Sequence, residues 1–145
     1  MNANGSVVRL EIPSSFDMLD FVQLVCDRMG QMAGVDEDSL HWIGVAVREA
    51  VINAIKHGNR EDLAKLVTVE FALAPPAAHA ELTIRIRDQG EGFEPGEIGN
   101  PLSPENLMKS SGRGIFFMRS FMDDVTLRRA PEGGMEVCML KKLSP

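Results

Sequence analysis

The segment Glu-Ala-Val-Ile-Asn-Ala-Ile-Lys-His-Gly, residues 49–58, carries the most specific structural information in this chain. Its apolar positions continue a helical spacing that starts upstream. The apolar series is Leu40, Ile43, Val47, Val51 and Ile55. The spacing predicts one long helix, with Asp36 as its N-cap and Gly58 as its C-cap.

Three polar residues of this helix, Glu49, Asn53 and His57, are spaced four apart and are therefore expected on one helical face. A carboxylate beside a carboxamide is costly in an apolar helix unless polar groups lie in front of it. A magnesium-phosphate ligand meets that need, because an Asn oxygen can help hold Mg²⁺ and a Glu can accept a proton from a hydroxyl. The spacing alone is equally compatible with a solvated stripe or a helix-capping network.

The rest of the chain alternates between strand-like and helix-like patterns. Strands are predicted at residues 7–12, 66–73, 80–87, 124–129 and 135–141, and helices at residues 16–32 and 115–122. A hydroxyl N-cap precedes the first helix, and Gly34 interrupts the path to the second. The short connections predict that residues 66–87 and 124–141 each form an antiparallel strand pair.

A second candidate motif is Arg-Asp-Gln-Gly-Glu-Gly-Phe, residues 87–93, which begins where an apolar strand ends. Asp88 can accept a hydrogen bond from an exocyclic amine such as that of adenine. Gly90 and Gly92 carry no side chains, so the backbone can approach a flat ligand there. The same pattern also occurs as a plain turn.

A third candidate motif is Ser-Gly-Arg-Gly, residues 111–114, directly before a predicted helix. Backbone amides at a helix N-terminus bind anions, and Arg113 adds positive charge, so the motif favours phosphate binding. A flexible helix start is the alternative. The long polar stretch between residues 88 and 114 is typical of a functional lid.

Bulk properties exclude several classes of protein. The 145 residues suit one domain, and a net charge of −6 gives no basic surface for nucleic acid. Cys26 and Cys138 have no metal-binding spacing and are expected to be buried free thiols. No membrane span or signal segment is found, which predicts a cytoplasmic protein that does not act at a membrane.

Together the three motifs resemble those of the GHKL superfamily. Residues 49–58 resemble its N-box, Asp-x-Gly-x-Gly-Phe at residues 88–93 its G1 box, and Gly-Arg-Gly-Ile at residues 112–115 its G2 box. Residues 111–125 are similar to the bacterial anti-sigma-factor serine kinases, and this likeness extends over essentially the whole chain. The resemblance implies one histidine-kinase-like ATP-binding domain over residues 1–145. Its expected Bergerat fold is an α+β two-layer sandwich with a mixed, mainly antiparallel sheet, helices on one face and an ATP lid.

The resemblance also implies roles for individual residues. Asn53 is expected to coordinate Mg²⁺, Glu49 to act as general base, and Asp88 to recognise the adenine amino group of ATP. Residues 94–111 are implied to form the ATP lid. The further residues implied to bind the nucleotide are Gly90, Gly92, Phe93, Lys109, Gly112, Arg113 and Gly114, with Lys56 and Asn59 bordering the phosphates.

One position departs from the family pattern. The kinases carry a basic residue directly before the Ser-Gly of the G2 box, whereas this chain has Ser110 there and Lys109 one position earlier. Either Lys109 or Arg113 is therefore expected to meet the γ-phosphate.

The function implied is an ATP-dependent serine/threonine protein kinase that acts as an anti-sigma factor and phosphorylates a STAS-type anti-anti-sigma protein. A sigma factor or equivalent regulator is the other implied partner, and homodimerisation is expected. The main alternative is a regulatory module that binds nucleotide and sequesters a partner without significant kinase activity. A detached histidine kinase domain is less favoured, because no helical hairpin with a phosphoacceptor His is found.

Overall fold

The computed structural model describes residues 6–74, 81–90 and 118–143. The strands are β1 (Ser6–Pro13), β2 (Leu66–Leu73), β3 (Glu81–Arg87), β4 (Asp124–Arg129) and β5 (Met135–Lys142). The helical elements are a 3₁₀ turn (Phe16–Met18), α1 (Leu19–Met32), α2 (Glu37–Asn53) and a π turn (Ala54–Gly58), and residues 118–121 are also helical. The strands form one sheet in the order β1-β2-β3-β5-β4.

Alternation of side chains along the strands gives the sheet one apolar face. Phe71 of β2 pairs with Ile84 of β3, Ile84 pairs with Met139 of β5, and Met139 pairs with Val125 of β4. All four side chains are buried. This row crosses four strands and forms the floor of the hydrophobic core.

Helices α1 and α2 cover this apolar face. Val22 and Cys26 of α1 and Val47 and Val51 of α2 are fully buried in the same cluster as the inward side chains of the strands. The two helices also contact each other through Gln23, whose Nε2 donates to the carbonyl of Gly44 at 3.2 Å. In the described ranges, no helix combines the length and apolar character needed to cross a membrane.

The opposite face of the sheet is polar and carries a cluster of ion pairs. Register places Glu136 of β5 between Arg87 of β3 and Arg128 of β4. Its carboxylate lies 3.6 Å from Nε of Arg87, 3.2 Å from an Nη of Arg128 and 3.7 Å from Nε of Arg85. Glu136 is buried beneath these guanidinium groups. A face of this kind needs no second layer of helices, which explains the two-layer architecture.

The predicted fold class, an α+β sandwich with helices on one face of the sheet, is confirmed. One detail differs, because we expected a mixed sheet and the four described strand pairings are all antiparallel. The predicted pairings of residues 66–87 and 124–141 are among them. The predicted strand bounds agree with the structure to within one residue.

The predicted starts of both helices are confirmed in part. Asp36 caps α2, because its carboxylate accepts from the Ser39 amide at 3.0 Å, and this hydrogen bond lowers the pKa of Asp36. Ser15 caps the segment before α1 by accepting from the Asp17 amide at 3.3 Å. That segment is a 3₁₀ turn over Phe16–Met18 and not the first turn of the predicted helix.

The two cysteines differ in how deeply they are buried. Cys26 is fully buried, and burial, with a smaller effect of Asp27, raises the pKa of its thiol to about 12. Cys138 is only half-buried because its position in β5 faces the polar side of the sheet, where it pairs with Arg85. Both thiols are free, as expected, but the expected burial is correct for Cys26 and wrong for Cys138.

Candidate functional site

Helix α2 holds Glu49 and Asn53 at the border of the hydrophobic core. Both residues are half-buried, while Ala50 and Val51, which lie between them in sequence, are buried against the sheet. The polar pair therefore lies on a side of α2 that the sheet does not cover. This agrees with the predicted polar face as far as Asn53.

Beyond Asn53 the helix changes its winding. Residues Ala54–Gly58 form a π turn, and the amide of Asn59 donates to the carbonyl of Ala54, five residues earlier, at 2.8 Å. A π turn is wider than an α-helical turn and often occurs near functional sites. The α-helical spacing that was predicted to align His57 with Glu49 therefore ends at Asn53, and His57 is exposed.

Gly58 does not form the helix C-cap that the sequence predicted. A helix C-cap glycine adopts positive φ, which Gly58 does not, and the residue that follows the π turn as its cap is Asn59. A Cβ atom built on Gly58 would lie 2.2 Å from Oδ2 of Asp88. The glycine is needed because the end of the helix and the Asp88 carboxylate are in close contact.

Asp88 follows β3 directly and is held in place by backbone groups. Its amide donates to the carbonyl of Met135 at 3.0 Å. Its Oδ1 accepts from the amide of Met135 at 3.1 Å and from the amide of Gly90 at 3.0 Å. No residue of the described ranges donates a hydrogen bond to Oδ2, so this oxygen keeps its capacity to accept one from a ligand.

Burial affects the pKa of the Asp88 carboxyl group. The residue is 6% exposed, and the loss of hydration raises its pKa, while the hydrogen bonds from the Gly90 and Met135 amides oppose that rise. A buried carboxylate with a perturbed pKa and an unused acceptor is a feature of ligand sites.

The side chain of Asn59 connects three segments of the chain, and both hydrogens of its amide group are used in doing so. Its Nδ2 donates to Oγ of Ser14 at 2.8 Å and to the carbonyl of Leu66 at 3.0 Å. Its Oδ1 accepts from the amide of Gln89 at 2.7 Å, and the residue is 1% exposed. Its buried side chain therefore has no free donor for the phosphates that it was expected to border.

Gly90 also meets the protein backbone. A Cβ atom at this position would lie 2.0 Å from the carbonyl oxygen of Gly58. From the sequence, a glycine is expected at position 90 because a ligand approaches the backbone there. The structure shows a second reason, because this turn also contacts the end of the π turn.

Sequence analysis missed three contributors to this site. Ser14 completes the hydrogen bonds of Asn59, Met135 holds both the amide and the carboxylate of Asp88, and Gly134 approaches the Asp88 carbonyl so closely that a Cβ would lie 2.2 Å from it. The consecutive glycines at 133 and 134 were the available signal, but they also fit an ordinary hairpin turn.

Several predicted site residues lie outside the described ranges. They are Gly92, Phe93, Lys109, Gly112, Arg113 and Gly114, together with the lid segment 94–111. Of the predicted residues, the structure therefore describes Glu49 and Asn53 on α2, the exposed Lys56 and the buried Asn59 at its end, and Asp88 and Gly90 after β3. Within the described ranges, no group of three or more His, Cys, Asp or Glu side chains is arranged to hold a metal ion.

Known proteins that are similar to this chain include ATPase domains and serine-protein kinases. The profile of a family described as histidine kinase-like ATPase domain matches residues 12–141. The serine-protein kinase RsbW of Staphylococcus epidermidis is 26% identical over 148 residues, which cover 97% of this chain and 89% of that protein. RsbW of Staphylococcus aureus has the same identity and coverage. The predicted enzyme class, a protein serine/threonine kinase, agrees with these relatives.

A solved structure has the same fold. The RsbU and RsbW domains of Rv1364c from Mycobacterium tuberculosis superpose with a TM-score of 0.68 at 16% identity. The superposition covers 97% of this chain and 33% of that one, so this chain spans about a third of its neighbour. The family match and the serine-protein kinase relatives thus confirm the superfamily that the three motifs predict and support ATP as the nucleotide. This chain belongs to the family of histidine kinase-like ATPase domains.

Proposed function

We propose that this chain is an ATP-dependent serine/threonine protein kinase that recognises the adenine of ATP through Asp88. The supporting observation is that the two oxygens of its carboxylate have different partners. Two backbone amides hold Oδ1, and no described residue donates to Oδ2. Oδ2 is therefore suited to accept a hydrogen bond from the exocyclic amine of adenine.

Asn53 is the proposed ligand of Mg²⁺. Its carboxamide is half-buried on a side of α2 that the sheet leaves uncovered, and a carboxamide oxygen is a neutral hard donor of the kind that Mg²⁺ accepts. A single side-chain ligand suffices, because phosphate oxygens and waters complete the octahedron in such sites. When bound, the ion neutralises charge on the phosphates during transfer.

Glu49 is the proposed general base. It lies one helical turn before Asn53, so both side chains face the same region, and its half-buried carboxylate remains accessible to a substrate. Its carboxylate takes the proton of a serine or threonine hydroxyl while that oxygen bonds to the γ-phosphorus and ADP departs. The chain otherwise contributes by aligning the donor and the acceptor.

The remaining nucleotide contacts are proposed from the motifs. Gly90, Gly92 and Phe93 border the adenine, and Gly112, Arg113 and Gly114 of the third motif meet the phosphates. Lys109 or Arg113 contacts the γ-phosphate.

The proposed protein substrate is a STAS-type anti-anti-sigma protein, and a sigma factor or equivalent regulator is the second partner. This role rests on the likeness of residues 111–125 to anti-sigma-factor kinases. We also propose that residues 1–145 form one ATP-binding domain and that the chain forms a homodimer.

Phosphoryl transfer is tested with radiolabelled ATP, Mg²⁺ and a STAS-type protein. We expect label on a serine or threonine of that protein with the unaltered chain. The Glu49→Gln variant is expected to lose transfer by about a hundredfold or more, because a general base contributes about 10²–10⁴ in rate, while ATP binding stays nearly unchanged.

Glu37→Gln is the matched control, since Glu37 is exposed on the same helix and should transfer phosphate normally. Undiminished transfer by Glu49→Gln contradicts the assigned base. An unlabelled partner that nevertheless binds in a nucleotide-dependent way supports the regulatory module without kinase activity.

A further inference from the structure

Asn59 connects the end of the π turn with the residues around Asp88. It follows the π turn directly, and its Oδ1 accepts from the Gln89 amide at 2.7 Å. Its Nδ2 is anchored on the other side by Oγ of Ser14 and the carbonyl of Leu66. The side chain therefore joins the turn at 88–90 to the segment just after β1 and to the start of β2.

The chemistry of this position is specific to an asparagine. The neighbours require two hydrogen-bond donors and one acceptor in a single short planar group. Ser14 is itself fixed, because its hydroxyl donates to the Lys65 carbonyl at 2.6 Å and so presents a lone pair to Asn59. Both Ser14 and Asn59 are 1% exposed, so each lost hydrogen bond would leave a buried polar group unpaired.

The turn that carries Asp88 is fixed at three successive amides. The Asp88 amide donates to the Met135 carbonyl, and the Gly90 amide donates to Oδ1 of Asp88 itself. The amide between them, that of Gln89, is the one that depends on a side chain outside the turn, namely Asn59. The direction in which Oδ2 of Asp88 points therefore depends on this contact, on the hydrogen bond from the Leu66 amide to Oε1 of Gln89, and on β5.

We propose that Asn59 is a positioning residue for purine recognition, which holds the turn at 88–90 so that Oδ2 of Asp88 faces the 6-amino group of the nucleotide. Asn59 acts through Asp88 and does not touch the ligand. The proposal rests on the function proposed above, because it assumes that Asp88 reads that amino group.

The test compares two ligands, ATP and purine riboside triphosphate, which lacks only the 6-amino group. Dissociation constants are measured by calorimetry in Mg²⁺ for the unaltered chain and for Asn59→Ala. The unaltered chain is expected to prefer ATP by about tenfold or more, which is the value of a hydrogen bond to a charged group. In Asn59→Ala the preference for ATP is expected to fall below about threefold, because the turn that directs Oδ2 of Asp88 toward the 6-amino group is no longer fixed.

Gln23→Ala is the matched control. It also removes a carboxamide that donates to a backbone carbonyl, that of Gly44 at 3.2 Å, but this contact joins α1 to α2 and involves neither Asn59 nor the turn at 88–90. The melting temperature should fall while the preference for ATP stays at the value of the unaltered chain. A purely structural role for Asn59 would instead lower its melting temperature and weaken both ligands equally.

A second variant and a second measurement cover the case in which Asn59→Ala does not fold. Asn59→Asp keeps an oxygen for the Gln89 amide and should recover most of the preference for ATP despite a lower melting temperature. In the unaltered chain, hydrogen exchange should show a protected Gln89 amide.

The outcomes separate the two proposals. If the unaltered folded chain binds neither nucleotide, or binds both equally, the proposed role of Asp88 fails and the role of Asn59 fails with it. If the unaltered chain prefers ATP and Asn59→Ala keeps the same preference, the role of Asn59 alone is overturned. A freely exchanging Gln89 amide overturns it as well.

Discussion

At the scale of single residues, the site is defined by how closely Asp88 is surrounded. Gly58 lies against its Oδ2, Gly134 lies against its carbonyl, and Met135 bonds both its amide and its Oδ1. The cost of this enclosure is lost hydration, which raises the pKa of the Asp88 carboxyl group. A buried charge of this kind is expected to lower stability in return for ligand recognition.

We predict that Asp88→Asn increases the free energy of unfolding at neutral pH. The folded protein raises the pKa of Asp88 above its ordinary value of 3.8, so it holds that proton more tightly than the unfolded chain does. The contribution of this tighter proton binding to the free energy of unfolding is therefore complete below the pKa of Asp88 in the unfolded chain. It is lost as the pH rises through the pKa of Asp88 in the folded protein. An uncharged Asn avoids this loss and can still accept from the Gly90 and Met135 amides.

The measurement is denaturant unfolding of both proteins across the range from pH 3.5 to neutral, about where an Asp titrates. The advantage of the variant should be absent at the acid end and should grow as the pH rises. A variant that is less stable than the unaltered chain at neutral pH contradicts this explanation of the raised pKa.

At the scale of elements, the π turn brings the end of α2 to Asp88. Sequence spacing correctly predicted the helix up to Asn53 and the strands, because those elements depend on local patterns of apolar residues. It could not predict the π turn. Gly58 also fits a helix C-cap, and the sequence does not show that Asp88 lies against it. The role of Asn59 was missed for the same reason, because its partners lie 45, 7 and 30 residues away.

We predict that Gly58→Ala destabilises the fold and weakens ATP binding. The added Cβ would overlap with the Asp88 carboxylate, which is fixed by backbone amides and cannot move away without breaking them. Overpacking of this kind costs about 1–3 kcal/mol of unfolding free energy. Denaturant unfolding and calorimetry with Mg·ATP measure the two effects.

Gly44→Ala is the control within the same helical segment. Among the described residues, its Cβ would meet Oε1 of Gln23 alone, at 3.2 Å, and that side chain is flexible. Replacing a glycine inside a helix gains about 0.5–1 kcal/mol, so this variant should be as stable as the unaltered chain or more so, with ATP binding unchanged. Equal behaviour of the two variants would show that the contact between Gly58 and Asp88 is unimportant.

At the scale of the whole molecule, the order of the strands explains why motifs distant in sequence meet. β3 is the central strand, so its end, where Asp88 lies, is flanked by the start of β5 and by the segment that leads into β2. The motif resemblance predicted this convergence, but its geometry depends on long-range strand pairing that no local pattern specifies. The polar outer face, with Glu136 buried under three arginines, was likewise not predicted, because strand register decides which charges meet.

The most direct test of the central claim is calorimetric titration of the folded chain and of Asp88→Asn with Mg·ATP. The account predicts one ATP bound per chain and much weaker binding by the variant, because the new amide group would present a donor to the donor of adenine. Folding of both samples is verified by circular dichroism. No heat of association with the unaltered chain, or equal affinity in the two proteins, would contradict the account.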